Sequence, residues 1–169
     1  MNRPERPIIY GGGGIINSGP EASALLQQLV DMTGWPTTLT LMGLGALPAS
    51  DKHFLGMLGM HGTYEANWAM HDCDIMLNVG ARFDDRVTGK VEAFAKDAKI
   101  IHIDIDGSEL NKNKTAHIPV RADVKQALTE LNKVIQKPEI SDWQEHCQQL
   151  KVKFPLTYDT EFDGILQQH

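Results

Sequence analysis

Glycine-bearing turns at residues 11–14, 43–45, 59–62 and at Gly80 recur along the chain, several of them where a short apolar run ends. A glycine turn after a strand lets a ligand approach the backbone closely. Where such a turn feeds a helix, unpaired N–H groups and a partial positive charge face any phosphate placed there. The densest charged cluster follows one of these turns, in Gly80-Ala81-Arg82-Phe83-Asp84-Asp85-Arg86. Guanidinium groups present a planar fork of donors suited to phosphate and carboxylate. The neighbouring carboxylates can brace those arginines or accept from hydroxyls; the competing reading is a solvated loop with local ion pairs. His102-Ile103-Asp104-Ile105-Asp106 offers a carboxylate at a strand end, the position that takes ribose hydroxyls, or else simply a turn before Gly107. Asp123 reads first as a helix cap, though a capping carboxylate can also face a ligand.

These features fit neither common phosphate fingerprint. A GxGxxG motif needs a further glycine at Ile16 or Asn17, and no GK[ST] follows. The seven histidines form no HxxxH pair, so no metal site built by this chain is expected. There is no GxSxG and no nucleophile with an identifiable partner. Two cysteines, Cys73 and Cys147, form no CxxC and read as reduced thiols.

The elements that must carry these groups alternate. Pro7–Tyr10 reads as a strand entering the first glycine turn. A helix follows, with Ser18 and Glu21 at capping-box spacing, Pro20 in its first turn, and Ala22, Leu25, Leu26, Leu29 and Val30 on one face. Gly34 stops it, and the β-branched run Thr37–Leu41 forms the next strand before Met42-Gly43-Leu44-Gly45. Residues 63–71 read as a helix, 74–80 as a buried strand and 99–105 as another. Residues 118–120 read as a short strand limited by Pro119. Asp123 opens a helix with Val124, Ala127, Leu128, Leu131, Val134 and Ile135 on one face. Lys137-Pro138-Glu139 breaks it, and Ser141 with Gln144 suggests a second capping box. Alternating strands and helices imply an α/β fold with a parallel sheet covered on both faces, whose ligands bind beyond the carboxyl ends of the strands.

The length of 169 residues suits one domain, and 41% hydrophobic with 22% charged residues is ordinary for a soluble globular protein. A net charge of -6 argues against a nucleic-acid surface. No apolar run is long enough to span a membrane, and the polar residues 1–7 do not resemble a signal peptide. A cytoplasmic location is expected.

Leu58-Gly59-Met60-His61-Gly62, the block Val79-Gly80-Ala81-Arg82-Phe83-Asp84-Asp85-Arg86-Val87-Thr88-Gly89, and His102–Asp106 with Lys112-Asn113-Lys114 resemble the central domain of the acetohydroxyacid (acetolactate) synthase catalytic subunit. The likeness runs over about residues 4–155. It implies a Rossmann-like three-layer α/β/α domain with a six-stranded parallel sheet that binds FAD. It assigns FAD contacts to Gly12, Gly13 and Gly14; to Thr40, Leu41, Met42 and Gly43; to Leu58, Gly59, Met60 and His61; and to Gly80, Ala81, Arg82, Asp84, Arg86 and Val87. Asp104 and Ile105 fall where the family contacts the adenosine, with Asp123 and Val124 nearby. Arg86 would take the carboxylate of a second keto acid, and Met60 would shape the pocket for its side chain.

In that family an N-terminal domain supplies a catalytic glutamate, and a C-terminal domain holds thiamine diphosphate and Mg²⁺ through a GDG-type motif. The enzyme decarboxylates pyruvate and joins the two-carbon unit to a second 2-keto acid, which begins valine, leucine and isoleucine synthesis. Its FAD is not needed for net redox chemistry. This chain shows neither the glutamate nor the GDG motif. It is therefore expected to be an excised central domain over 1–155 with a linker over 156–169, inactive alone and without catalytic residues of its own. Expected partners are other domains of the same chain, further copies in a homo-oligomer, and a possible regulatory small subunit. Glyoxylate carboligase, a non-catalytic nucleotide-binding module and a flavin-dependent oxidoreductase are the alternatives.

Overall fold

The computed structural model describes residues 4–155. The expected linker at 156–169 lies outside them. Six parallel strands form one sheet: β1 (Pro7–Gly11), β2 (Thr37–Leu39), β3 (Phe54–Met57), β4 (Ile75–Val79), β5 (Lys99–Asp104) and β6 (Ile118–Arg121). Their spatial order is β3-β2-β1-β4-β5-β6. The helices are α1 (Gly13–Asn17), α2 (Pro20–Thr33), α3 (Tyr64–Asp72), α4 (Asp85–Thr88), α5 (Val124–Val134) and α6 (Ser141–Lys153). Chain direction across the sheet reverses between the β1–β2 and β3–β4 crossovers. Right-handed connections therefore put α2 and α3 on opposite faces, and α5 packs beside α2 while α6 packs beside α3. The result is the three-layer Rossmann-like domain that the family resemblance implied.

The central strands are apolar because both of their faces are covered. Ile8, Ile9, Leu39, Met76, Leu77, Val79 and Ile100 are all buried, beneath Leu26 and Leu29 of α2, Ala66 and Met70 of α3, and Leu128 of α5. Pro119 sits in β6 at the sheet edge, where a missing N–H is tolerated.

Four local expectations change. β3 is an additional strand: its four residues include Gly56 at φ 92° and a register shift against β2, so it lacks a strand-like sequence pattern. The second strand ends at Leu39, because Thr40 accepts from Gly43 N and caps a 3₁₀ turn over Leu41–Gly43. Ser18 and Glu21 form no capping box. The N-cap of α2 is Gly19 at φ 90°, with no side-chain cap. The Ser18 hydroxyl instead donates to Asp123 Oδ2 at 3.1 Å, and Glu21 Oε2 accepts from Lys125 Nζ at 2.9 Å, tying α2 to α5. Ser141 and Gln144 fail likewise: Ile140 is the N-cap of α6, and Gln144 Nε2 donates to the Gly34 carbonyl at 2.8 Å.

Candidate functional site

The strand order reverses direction between β1 and β4, so the turns leaving these neighbours diverge and open a crevice at the carboxyl edge of the sheet. The turns on either side of that crevice meet backbone to backbone. Gly12 N donates to Val79 O at 2.9 Å and Gly14 N to Gly80 O at 3.0 Å. A Cβ on Gly12 would lie 2.3 Å from Gly80 O, and one on Gly14 2.7 Å from Gly80 Cα. Gly80 itself stands at φ 59°. The turn after β1 is not a bare loop, since it starts the one-turn-and-a-half helix α1. Its Gly14 N–H is spent on Gly80, which removes that donor from any phosphate.

Above this seam lies a cleft of about 750 Å³. Gly13, Gly14, Thr40, Leu41, Met42, Gly80, Ala81, Arg82, Asp84, Arg86, Val87, Asp104, Ile105, Asp123 and Val124 all line it, so the residues singled out at four strand ends converge on one space. Gly12 and Gly43 do not line it. They are buried directly behind, and a Cβ on Gly43 would meet Gly11 O at 2.7 Å. Ile16, Asn17, Ser18, Asp85, Asp106 and Glu109 also line the cleft and were not among the residues assigned to the site from the sequence. A larger groove of about 850 Å³ runs along the sheet face beside α5, lined mainly by apolar groups such as Ile101, Ile103, Val120 and Leu131. It lacks the glycine turns and the arginines, so the crevice at the strand ends is the candidate site.

The cleft is electrically divided: the arm after β4 places two arginines in it beside Asp84 and Asp85, and the charged groups of the opposite wall are carboxylates alone. Arg82 and Arg86 stand on the arm after β4, and the Arg82 guanidinium reaches Asp84 at 3.1 Å with both side chains about half exposed. Arg86 makes no ion pair among the described residues. Asp104, Asp106, Glu109 and Asp123 line it from β5, the following turns and the start of α5. Asp123 is already committed: Oδ1 caps α5 through Lys125 N and Gln126 N, and Oδ2 accepts from Ser18. Asp104 is less so. Oδ1 accepts from Asp106 N at 2.9 Å, while Oδ2 has only His102 Nε2 at 3.9 Å. A ligand fitting this division carries anionic groups at one end and hydroxyl or amino donors at the other.

Residues 1–131 match the family model described as the thiamine pyrophosphate enzyme central domain. The chain belongs to that family. Among curated relatives it is 47% identical to acetolactate synthase 3, chloroplastic, of Brassica napus, over 100% of this chain and 26% of the relative. It is 48% identical to probable acetolactate synthase 2, chloroplastic, of Oryza sativa subsp. japonica, over 98% of this chain and 26% of the relative. Acetolactate synthase, chloroplastic, of Arabidopsis thaliana is 46% identical over the whole chain and 26% of its own length. The chain thus spans about a quarter of the length of these relatives and is an acetolactate synthase-like central domain.

In this central domain Leu58, Gly59, Met60 and His61 do not line the cleft. They form the turn after β3 that leans on the arginine arm. Met60 N donates to Arg86 O at 3.0 Å, and a Cβ on Gly59 would meet that same carbonyl at 2.8 Å. Leu58 is buried, whereas Met60 is 64% exposed and stands beside Arg86 on an open surface. Among the described residues no group of three or more His, Cys, Asp or Glu is arranged to hold a metal ion, and no helix is long and apolar enough to cross a membrane.

Proposed function

We propose that this central domain binds FAD in the crevice between the β1 and β4 turns, as part of an acetolactate synthase. One observation carries the reading: the turns after β1, β2 and β4 and the end of β5 line a single cleft, with backbone at the seam and arginines on one wall. Glycines 12, 14 and 80 let the two turns close into a backbone floor, over which an extended diphosphate would lie. Arg82 provides the charge for it, and Asp104 Oδ2 is free to accept from ribose. Leu41 and Met42 are strongly exposed beside Gly13, an apolar wall suited to a flat ring system. The names of the relatives support a synthase over glyoxylate carboligase.

In this reading bound FAD supplies no net redox chemistry and completes the architecture of the site. Thiamine diphosphate and Mg²⁺ belong to other domains of a longer chain, as does the glutamate that moves protons. This chain's share of the reaction is positional. Arg86, unpaired among the described residues, would seat the carboxylate of the second 2-keto acid, and exposed Met60 beside it would wall that acid's side chain. Homo-oligomerisation and a regulatory small subunit belong to the same proposal. The plant relatives are named chloroplastic, and a cytoplasmic setting for this chain is part of the proposal.

Titration of the purified protein with FAD, followed by flavin fluorescence and thermal shift with ADP in parallel, tests the reading. Saturable FAD binding that is weakened in Arg82→Ala is the expected result. A folded protein that binds neither ligand refutes the stand-alone cofactor site.

A further inference from the structure

Three successive residues of the arginine arm are each held by a side chain from a different element. Asn78, on β4, closes both polar groups of Ala81: Oδ1 accepts from Ala81 N at 3.0 Å and Nδ2 donates to Ala81 O at 2.8 Å. Tyr10, on β1, donates from its hydroxyl to Arg82 O at 3.3 Å. Asn113, on the connection between β5 and β6, donates from Nδ2 to Phe83 O at 2.9 Å. Tyr10 and Asn78 are registered neighbours on adjacent strands and both are fully buried. Burial, and then the charge of Asp84, push the Tyr10 phenol above its ordinary range, so it stays a donor. The next residue on the same connection, Lys114, donates to the carbonyls of Val91 and Phe94 and steadies the far end of the segment.

The Tyr10 ring packs in the core against Phe83, but packing explains neither its hydroxyl nor the Asn78 amide. An asparagine in the middle of Ile-Met-Leu-Asn-Val interrupts an otherwise apolar, doubly covered strand. Its amide is tolerated there because the loop above satisfies it. We propose that Asn78, Tyr10 and Asn113 are positioning residues that fix the backbone of Ala81-Arg82-Phe83, and so aim Arg82 into the cleft for an anionic, diphosphate-bearing cofactor. This rests on the FAD reading above. The three side chains do not touch the ligand; they hold the arm whose guanidinium does. Preorganisation of this kind raises affinity by removing the cost of ordering the loop on binding.

The test uses Tyr10→Phe and Asn113→Ala, each alone and combined with Arg82→Ala, with FAD titration and amide hydrogen exchange over residues 80–88. Asn78→Ala is a third variant, and because Asn78 is fully buried the conclusion does not depend on its folding. Asn113 is exposed, so Asn113→Ala keeps the fold. Each single variant is expected to weaken FAD binding about tenfold, the low end of what loss of an outer support costs at other sites. Exchange at 81–88 should quicken, and the same change should add less than about twofold on top of Arg82→Ala, because coupled residues are not additive. Unchanged exchange, or a loss of affinity as large without Arg82 as with it, overturns the proposal. Wild-type protein without saturable FAD binding fails the parent reading instead, and the exchange data then judge the support of the arm alone.

Discussion

Gly14 and Gly80 meet main chain to main chain: Gly14 N donates to Gly80 O at 3.0 Å, and a Cβ on either would come within 2.8 Å of the other's Cα. This contact joins the β1 and β4 turns at the reversal of strand order, so it sets the floor of the cleft. Alanine at Gly80 adds a left-handed backbone cost of about 1–2 kcal/mol to an overpacking cost of about 1–3 kcal/mol. Gly14→Ala carries the overpacking cost alone. Gly19→Ala, at φ 90° with nothing within 4 Å of the new methyl, carries only the backbone cost. Urea unfolding should rank the variants Gly80→Ala least stable, and only the seam variants should also lose FAD binding. A Gly14→Ala protein with wild-type stability would show that the two turns can part freely.

Arg82 separates binding from stability. Its ion pair with Asp84 is exposed on both sides, 59% and 48%, and such pairs are worth about 0–1 kcal/mol. Arg82→Ala should therefore shift stability by no more than about 0.5 kcal/mol. Hydrogen bonds to charged groups contribute about 1.5–3 kcal/mol, so FAD affinity should fall roughly 10- to 100-fold. The deficit should shrink as salt is added, since screening weakens the wild-type contact first. A large fall in melting temperature with unchanged affinity would reverse the assignment.

What the sequence made legible was whatever a local pattern decides. Ile75–Val79 shows its double burial in an unbroken apolar run, and Asp123 with its period of apolar residues marks the start of α5. The block from Gly80 to Arg86 concentrates charge after a strand, and that charge lines the cleft. β3 escaped because Gly56 and four residues make no strand signal. Ser18 and Gln144 misled because tertiary partners, Asp123 and the Gly34 carbonyl, outcompete the local capping geometry. Glu109 and Asp106 reach the cleft through turns after β5 whose path no periodicity predicts. Asn78 was readable in principle, as a lone amide in an apolar run.

His102 makes the fold sensitive to acid. It is fully buried, neither ring nitrogen has a hydrogen-bond partner among the described residues, and Phe83 lies against it edge-on at 5.2 Å between centroids. Desolvation lowers its pKa from 6.5, and the negative charge of Asp104 only partly opposes this. The folded protein thus keeps His102 neutral where the unfolded chain has begun to bind a proton. Its contribution to stability is complete above about pH 6.5 and is lost as pH falls toward the depressed folded value. Thermal melts from pH 8 to 5 should show the wild type losing stability relative to His102→Gln as pH drops. A constant difference between the two proteins across that range would mean His102 does not carry the effect.

The two thiols have the opposite sign. Cys73 and Cys147 are each 1% exposed, and burial pushes both thiols from 9.0 up to about 12. At neutral pH neither is a nucleophile, because the thiolate is the reactive form. Native protein at pH 8 should be alkylated by iodoacetamide at least ~100-fold more slowly than urea-unfolded protein, since reaction must wait for opening. The same shift limits stability in alkali. Above about pH 9.0 the unfolded chain ionises its thiols while the folded one does not, so the contribution is full below that value and lost as pH rises through about 12. Replacing both cysteines by alanine should flatten the fall in melting temperature between pH 9 and 11. Rapid labelling of either cysteine in the native state would mean that α3 and α6 open together far more readily than their buried contact implies.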